Sequence, residues 1–360
     1  MIMGHGGNKT DLAKKMGCSI DDIIDMSSNL NPLGPPEKIE TIICNNLDKI
    51  RSLPEPDAAS MRKGFADFHG IDPGQVAAGN GTTWFIYTIP KALGSKKILI
   101  SGPSYSDYKD ACLMHKIDFD HCLARESDLF EPDIDYLSRM VKGVDMVFIC
   151  NPNNPTGVLI PKEKLAYLIQ KHKGTCFVVD ESYLPFVDRA DEISLVSETG
   201  YQNLIVLSSM SKIFRIPGLR TGFLSAHKSL AEKIMVFSQP WSVNALAQAV
   251  IEFIFDHPED IDPFYRKTRE YIRTEKQVFL SRLEGVNDLQ IFDSCTYFLL
   301  ARINSKLTSQ QFCDRIGRGK ILIRDCSNFF GLSGQHVRFS LKERLVNLRL
   351  ADLIKQSLEI

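Results

Sequence analysis

Four clusters of polar, glycine-rich or proline-rich residues carry the side chains with the clearest chemistry. They are Gly79-Asn80-Gly81-Thr82-Thr83, Asn151 to Gly157, Asp180-Glu181-Ser182-Tyr183, and Ser208 to Lys212 with Arg220 following. In the last cluster, serine hydroxyls and a guanidinium could donate to one phosphate group beside an amine that can act as a nucleophile. The first cluster opens a predicted helix, whose free backbone N–H groups also favour an anion. Taken singly, each cluster also fits an ordinary turn or helix cap.

Short apolar segments come directly before these clusters and predict the elements that position them. We predict strands at 97–100, 146–150, 176–180, 204–208 and 221–225, with helices near 84–93, 105–115 and 162–172 between them. This alternation indicates a mostly parallel sheet flanked by helices, and ligands bind at the carboxyl ends of such strands. The four clusters are therefore expected to converge at one edge of the sheet.

The pattern changes after Trp241 and predicts a second, smaller α+β domain. Helical patterns run to Phe255 and from Pro263 to about Leu283; short strands follow near 297–301, 321–324 and 336–340, and a closing helix begins at Glu343. We therefore predict an N-terminal arm at 1–35 that contributes to the active site and the small domain. A large domain at 36–240 and a small domain at 241–360 complete the division.

Composition excludes several classes of function. The chain has 360 residues, 44% of them hydrophobic, with 43 basic and 44 acidic side chains, so no overall field favours nucleic acid or a membrane surface. Nine cysteines lack metal-ligand spacing, so we expect reduced thiols, no metal site and a cytoplasmic protein. No G-x-G-x-x-G motif follows the early strands, which argues against a dinucleotide-binding oxidoreductase.

In order and spacing the four clusters resemble the fold-type I enzymes of the aspartate aminotransferase superfamily, which depend on pyridoxal 5′-phosphate (PLP). The resemblance implies that Lys212 carries PLP as a Schiff base, that Asp180 faces the pyridine nitrogen, and that Asn154 and Tyr183 bond the phenolic oxygen. It also implies a homodimer. The other expected cofactor contacts are Gly81, Thr82, Ser209, Ser211 and Arg220 around the phosphate, and Tyr105 or Tyr108 stacked on the ring, with Tyr105 the better match. Arg338 matches the arginine that binds the substrate α-carboxylate, where Asn154 is also expected.

Within the superfamily the chain most resembles the threonine-phosphate decarboxylases of cobalamin biosynthesis, through His5-Gly6-Gly7-Asn8, Asn29 to Gly34, Pro240 to Asn244 and Ile321 to Asn328. This implies a substrate-phosphate site formed by His5, Gly6, Asn31 and Arg324, and decarboxylation of O-phospho-L-threonine or O-phospho-L-serine, giving an amino-alcohol phosphate for the cobamide nucleotide loop. Two positions depart from the pattern. Leu53 stands where a tyrosine commonly reaches the cofactor phosphate of the neighbouring subunit, and Tyr183 is typical of the aminotransferases. A histidinol-phosphate-type aminotransferase and a non-catalytic ligand-binding protein of the same fold remain alternatives.

Overall fold

The computed structural model describes residues 6–358, and its centre is a seven-stranded sheet. The strands of the chain are β1 (Ile24–Asp25), β2 (Val76–Gly79), β3 (Lys97–Gly102), β4 (Asp118–Leu123), β5 (Met146–Cys150), β6 (Cys176–Asp180), β7 (Leu204–Ser209), β8 (Gly222–Ala226), β9 (Leu289–Ile291), β10 (Phe298–Ile303), β11 (Ile321–Leu322), β12 (Arg324–Asp325) and β13 (His336–Ser340). The large sheet has the order β2-β8-β7-β6-β5-β3-β4. β8 runs antiparallel to both of its neighbours, β2 and β7, whereas every other pair in this sheet is parallel, so the predicted α/β class with a mostly parallel sheet is confirmed.

Helices pack around this large sheet and around the smaller sheet described below. They are α1 (Lys9–Met16), α2 (Lys38–Asn45), α3 (Ala59–His69), α4 (Thr82–Ala92), α5 (Ser106–His115), α6 (Ile134–Met140), α7 (Lys162–Lys171), α8 (Ala190–Ile193), α9 (Met210–Ile213), α10 (Lys228–Met235), α11 (Ala245–Asp256), α12 (Pro258–Arg282), α13 (Ser309–Gly317) and α14 (Arg344–Leu358). All five residues of β5 are buried, as expected for a parallel strand enclosed on both faces. None of the helices within residues 6–358 combines the length and apolarity needed to cross a bilayer.

The second sheet is antiparallel and has the order β12-β13-β10-β9. The N-terminal arm joins this region because β1 pairs in parallel with β11, with Ile24 opposite Ile321. The single strand predicted at 321–324 is wrong in one respect: β11 and β12 are separate strands. The two strands are separate because they pair with different partners. β11 pairs with β1 of the N-terminal arm, whereas β12 pairs with β13.

Apolar packing suggests a later domain boundary than the one predicted near residue 240. Val250, Ile254 and Ile272, on α11 and α12, belong to the core around the large sheet. Phe279, nearer the end of α12, packs instead with the core between the small sheet and α14. We therefore propose that the two domains divide within α12, and that α11 belongs to the large domain.

The strands missed from the sequence are short or partly exposed. In β4, for example, the residues alternate between exposed and half-buried from Asp118 to His121, because β4 lies at the edge of the sheet beside β3 alone. Such a strand carries many polar residues and gives a weak apolar signal.

Candidate active site at the strand ends

The four clusters converge on one cavity at the carboxyl ends of β5, β6 and β7, here called the strand-end cavity. All predicted cofactor contacts line it: Gly81, Thr82, Tyr105, Tyr108, Asn154, Asp180, Tyr183, Ser209, Ser211, Lys212 and Arg220. Thr83, Cys150 and Ser182 line it as well and were not predicted as contacts. The last two could have been inferred from position, since Cys150 ends a predicted strand and Ser182 lies within the Asp180 motif.

One corner of this cavity collects hydrogen-bond donors beside the first residue of α4. A Cβ atom on Gly81 would lie 2.8 Å from Arg220 Nη2, and one on Gly222 would lie 2.6 Å from the Thr82 nitrogen. Glycine at these two positions therefore lets the guanidinium and β8 approach the helix N-terminus closely. Within residues 6–358, Arg220 forms no ion pair with a carboxylate, and its Nη1 donates only to Pro217 O at 3.3 Å. This corner fits a phosphate group.

Asp180, at the end of β6, is held by three donors. Oδ1 accepts from the Ser182 nitrogen at 3.0 Å and from Ser182 Oγ at 2.5 Å, while Oδ2 accepts from the Tyr108 hydroxyl at 2.9 Å. A carboxylate offers about four acceptor sites, so about one remains, on Oδ2. Burial raises the pKa of Asp180, whereas Ser182, Tyr108 and the Lys212 charge oppose that rise. The free acceptor suits a protonated ring nitrogen.

Lys212 lies on α9, the short helix that follows β7. Burial, aided by the charges of Arg220 and Arg338, lowers the pKa of its amine to about 8. The Lys212 carbonyl accepts a backbone hydrogen bond from Asn31 at 3.1 Å, which ties this segment to the N-terminal arm. A lysine of this kind is neutral more often than a surface lysine and is therefore a better nucleophile and proton acceptor.

The two tyrosines after β3 have different surroundings. The ring of Tyr108 is fully buried and stacks on Phe148, with centroids 4.9 Å apart and an interplanar angle of 12°. Its hydroxyl is engaged by Asp180. Tyr105 is half-buried at the cavity wall, and its ring meets that of Tyr108 edge-on at 5.8 Å. Tyr105 is thus the better placed of the two to stack on a flat ligand, while Tyr108 positions Asp180.

Arg338, on β13, does not line the strand-end cavity itself but contacts Asn154, which does. Its Nη1 donates to Asn154 Oδ1 and its Nη2 to the Ser27 carbonyl at 2.6 Å, while its buried Nε has no partner within the described residues. Beside it, Asn29 Nδ2 donates to the Tyr183 hydroxyl at 3.3 Å. Burial raises the pKa of Tyr183, so its hydroxyl stays protonated and can donate. Asn29 was not predicted as a contact, although it lies within the Asn29 to Gly34 motif.

The residues predicted for substrate phosphate are only partly brought together. Gly6 and Arg324 line a second cavity, here called the arm cavity, between the N-terminal arm and α13. His5 lies outside the described residues. Asn31 is fully buried elsewhere, where its Nδ2 donates to Ile213 O at 2.7 Å and Thr268 Oγ1 at 3.1 Å, and its Oδ1 accepts from the Leu33 nitrogen at 2.9 Å. These bonds occupy its amide, so its geometry fits a scaffold residue better than a phosphate ligand.

Arg324, which lines the arm cavity, lies beside Arg338, whose partner Asn154 lines the strand-end cavity. The two arginines are directly opposite each other on β12 and β13, so their side chains extend from the same face of the sheet. Burial lowers the pKa of Arg324, and the positive charge of Arg338 lowers it further. The positive charges of the two neighbouring guanidinium groups repel each other, and an anionic group bound beside either one would reduce that repulsion. The pair therefore favours a ligand with two anionic groups.

Comparison with known proteins identifies the family. Residues 21–349 match the model of the family "Aminotransferase class I and II". The chain belongs to this PLP-dependent family. It is also 29% identical to the threonine-phosphate decarboxylase of Salmonella typhimurium over 98% of this chain and 96% of that protein. The adenosylcobalamin biosynthesis bifunctional protein CobDQ of Leptospira interrogans is 31% identical over 97% of this chain, which spans only 40% of that longer protein.

Solved structures agree with this assignment. The L-threonine-O-3-phosphate decarboxylase of Porphyromonas gingivalis is 31% identical, with a TM-score of 0.83 over 93% of this chain and 99% of that one. The histidinol-phosphate aminotransferase of Clostridium acetobutylicum is 26% identical, with a TM-score of 0.84 over 92% of this chain and 98% of that one. The chain is therefore a PLP-dependent enzyme, and both decarboxylases and aminotransferases are among the proteins similar to it.

Proposed function

We propose that this enzyme decarboxylates a small O-phosphorylated amino acid, O-phospho-L-threonine or O-phospho-L-serine, to an amino-alcohol phosphate for the cobamide nucleotide loop. The observation that carries the proposal is the pair Arg324 and Arg338, directly opposite on β12 and β13. Arg338 donates to Asn154, which lines the strand-end cavity, whereas Arg324 lines the arm cavity. A substrate with a carboxylate and a phosphate group could satisfy both.

The residues of the strand-end cavity would hold PLP. Its phosphate would lie at Gly81, Thr82, Ser209, Ser211 and Arg220, its ring nitrogen at Asp180 Oδ2, and its phenolic oxygen at Asn154 and Tyr183. Tyr105 would stack on the ring, and Lys212 would form the Schiff base. Bound PLP supplies an electron sink for the charge left at the substrate Cα when one of its bonds breaks.

Orientation of the substrate decides which bond at Cα breaks, and the two arginines would set it. Arg338 would hold the carboxylate and Arg324 the phosphate, so the Cα–carboxylate bond would stand perpendicular to the cofactor ring, where CO2 can leave. The Lys212 amine would then deliver a proton to Cα, a role that its lowered pKa favours.

Product analysis tests the proposal. Purified holoenzyme is incubated separately with O-phospho-L-threonine and O-phospho-L-serine, and CO2 and the amino-alcohol phosphate are measured. Both substrates are expected to yield CO2, because one methyl group changes transition-state binding by only about 1–3 kcal/mol. If neither substrate yields CO2, the proposal is wrong.

Amino transfer is the second candidate, and the observation that favours it is Tyr183 within the strand-end cavity. Its hydroxyl is fixed by Asn29, as needed for a donor to the phenolic oxygen. This function predicts that histidinol phosphate with 2-oxoglutarate yields glutamate. Glutamate release without any CO2 from the phosphorylated amino acids would select the aminotransferase.

We further propose that the enzyme is a cytoplasmic homodimer. Large apolar side chains are exposed on two adjoining segments, with Ile50 and Leu53 on one and Val236 and Trp241 on the other. The Trp241 nitrogen donates to Pro56 O at 2.9 Å, which joins these segments. Leu53 is 73% exposed and is therefore available to a second subunit. Light scattering coupled to gel filtration gives the mass, and a monomer at micromolar concentration would contradict the proposal.

A further inference from the structure

A separate cavity of about 520 Å³ lies beside the ends of β6 and β7, and no step proposed above uses it. It is bounded by the last turns of α3 and α11, the first turns of α12, and residues 184–197. We call it the helix-side cavity. Its volume is within the range of small-molecule sites, which is roughly 300–1,000 Å³.

The inner wall of the helix-side cavity is apolar and aromatic. The rings of Phe68 and Phe255 have centroids 5.7 Å apart, and Leu184, Val196 and Met210 are buried around the same space. Such a surface favours a bulky apolar group, above all an aromatic ring. His69 adds a further ring, and burial lowers its pKa to about 4, so it contributes no charge near neutral pH.

The rim of the cavity carries charges of both signs. Arg266 and Arg269 lie on α12, one turn apart, and neither forms an ion pair with a carboxylate among residues 6–358. Arg269 is oriented by its Nε–H, which donates to Pro185 O at 3.0 Å, and its guanidinium lies 5.6 Å from the Tyr265 ring. Asp191 and Asp262 complete the rim, and neither forms an ion pair in that same part of the chain. The rim therefore offers unpaired positive and negative charges at the mouth of one cavity, an arrangement complementary to a zwitterionic ligand.

We propose that the helix-side cavity is a binding site for a free amino acid with a large apolar side chain. The carboxylate would lie at Arg266 and Arg269, and the ammonium group at Asp191 and Asp262. The side chain would extend inward along the pair formed by Phe68 and Phe255. A wholly anionic ligand is disfavoured because Asp191, Asp262 and the buried Glu181 all line the same cavity.

The floor of the cavity connects it to the proposed catalytic residues. Ser209 lines both the helix-side and the strand-end cavities. Glu181, only 3% exposed, follows Asp180 directly and accepts hydrogen bonds from Ser194 Oγ at 2.6 Å and the Leu195 nitrogen at 2.8 Å. A ligand that displaces the 184–197 wall would therefore act on Glu181 and, through the backbone, on Asp180. This coupling is expected for any reaction carried out in the strand-end cavity.

Calorimetry with matched ligands tests the binding. Holoenzyme is titrated with L-phenylalanine, with 2-phenylethylamine, which lacks the carboxylate, and with 3-phenylpropionate, which lacks the ammonium group. L-Phenylalanine is expected to bind saturably at one site per chain, and each analogue at least about tenfold more weakly, because each leaves one set of rim charges unpaired. No saturable heat from L-phenylalanine, or equal binding of an analogue, would overturn the proposal.

Variants locate the site. Ser197→Phe fills the cavity from an exposed lining position, and Arg266→Gln removes one rim charge. Both variants are expected to weaken L-phenylalanine binding by about tenfold or more. The control variant Lys267→Gln changes an exposed neighbour and is expected to leave the affinity for L-phenylalanine unchanged. Unchanged affinity in both Ser197→Phe and Arg266→Gln would exclude this cavity.

Binding in the strand-end cavity must be distinguished from binding here. Borohydride reduction of the proposed Lys212–cofactor linkage blocks exchange with an added amine, so L-phenylalanine binding that persists after reduction is not binding to the cofactor. Loss of binding on reduction, with full binding in Ser197→Phe, would assign the ligand to the strand-end cavity and contradict the proposal. These readouts need no turnover, so the proposed amino-acid site and the proposed decarboxylation can fail independently.

Discussion

The strand-end cavity and the arm cavity are assembled in different ways. The strand-end cavity takes its side chains from the ends of neighbouring strands, and residues next to each other in a motif stay together in space. The arm cavity combines the N-terminal arm with α13 and β12, which are roughly 300 residues apart in the chain. Regular sheet geometry therefore fixes the positions of the side chains in the strand-end cavity. In the arm cavity, these positions depend on the path of the N-terminal arm, which pairs with β11 through the two residues of β1.

The largest expected effect lies in the strand-end cavity, at Lys212. Lys212→Ala removes the proposed Schiff-base partner and proton donor, so we expect activity to fall by at least about 10³-fold and the visible absorption of the Schiff base to disappear. Lys173→Ala changes an exposed lysine and serves as the matched control. A Lys212→Ala enzyme that keeps the absorption band would contradict the assignment of the cofactor linkage.

The arm cavity should respond differently. Arg324→Gln is expected to raise KM for a phosphorylated substrate by roughly tenfold to a hundredfold, because a charge-assisted bond to the phosphate is lost. The visible absorption of the cofactor should not change. Arg338→Gln, its neighbour across the strands, is expected to affect phosphorylated and unphosphorylated amino acids alike. If Arg324→Gln and Arg338→Gln raise KM for the unphosphorylated analogue equally, the assignment of Arg324 to the phosphate and Arg338 to the carboxylate is wrong.

This difference also explains how much could be predicted from the sequence. Strands such as β5 and β6 are short apolar segments with distinct ends, so the positions of Asn154 and Asp180 at or after strand ends could be predicted from the apolar pattern, whereas their roles rest on the resemblance. Asn31 was assigned to substrate phosphate by resemblance, yet its amide is bonded to Ile213 and Thr268, on elements far away in the chain. No local pattern indicates such long-range partners. Asn29, two residues earlier, reaches Tyr183 instead.

The pH dependence of cofactor capture tests the surroundings of Lys212. Only the neutral amine attacks the aldehyde of PLP, and the pKa of Lys212 is lowered to about 8 by burial and two nearby arginines. The capture rate of apoenzyme should therefore rise about tenfold per pH unit below 8 and level off above it. Stopped-flow absorbance measures this rate. A rate that keeps rising to pH 10 would indicate an ordinary lysine pKa and an open site.

A smaller effect is expected at Ser182, which holds Asp180. Ser182→Ala removes the Oγ donor at 2.5 Å, so the carboxylate is less stabilised and the pKa of Asp180 should rise further. We expect kcat to fall by about tenfold, with little change in KM, because a hydrogen bond to a charged group is worth about 1.5–3 kcal/mol. Ser182→Thr restores a hydroxyl and should recover most of the rate. Loss of bound cofactor rather than of kcat would indicate a merely structural role.

The smallest effect on activity is expected at Asn31, and it decides whether this residue belongs to the arm cavity or to the scaffold. Asn31→Ala leaves buried partners such as Thr268 Oγ1 with one bond fewer, so the free energy of unfolding should fall by about 1–3 kcal/mol in denaturant titrations. KM for the phosphorylated substrate should change by less than about twofold, because the Asn31 amide already bonds Ile213, Thr268 and Leu33. If KM instead rises as in Arg324→Gln while stability is unchanged, Asn31 contacts the phosphate and the arm must rearrange when substrate binds.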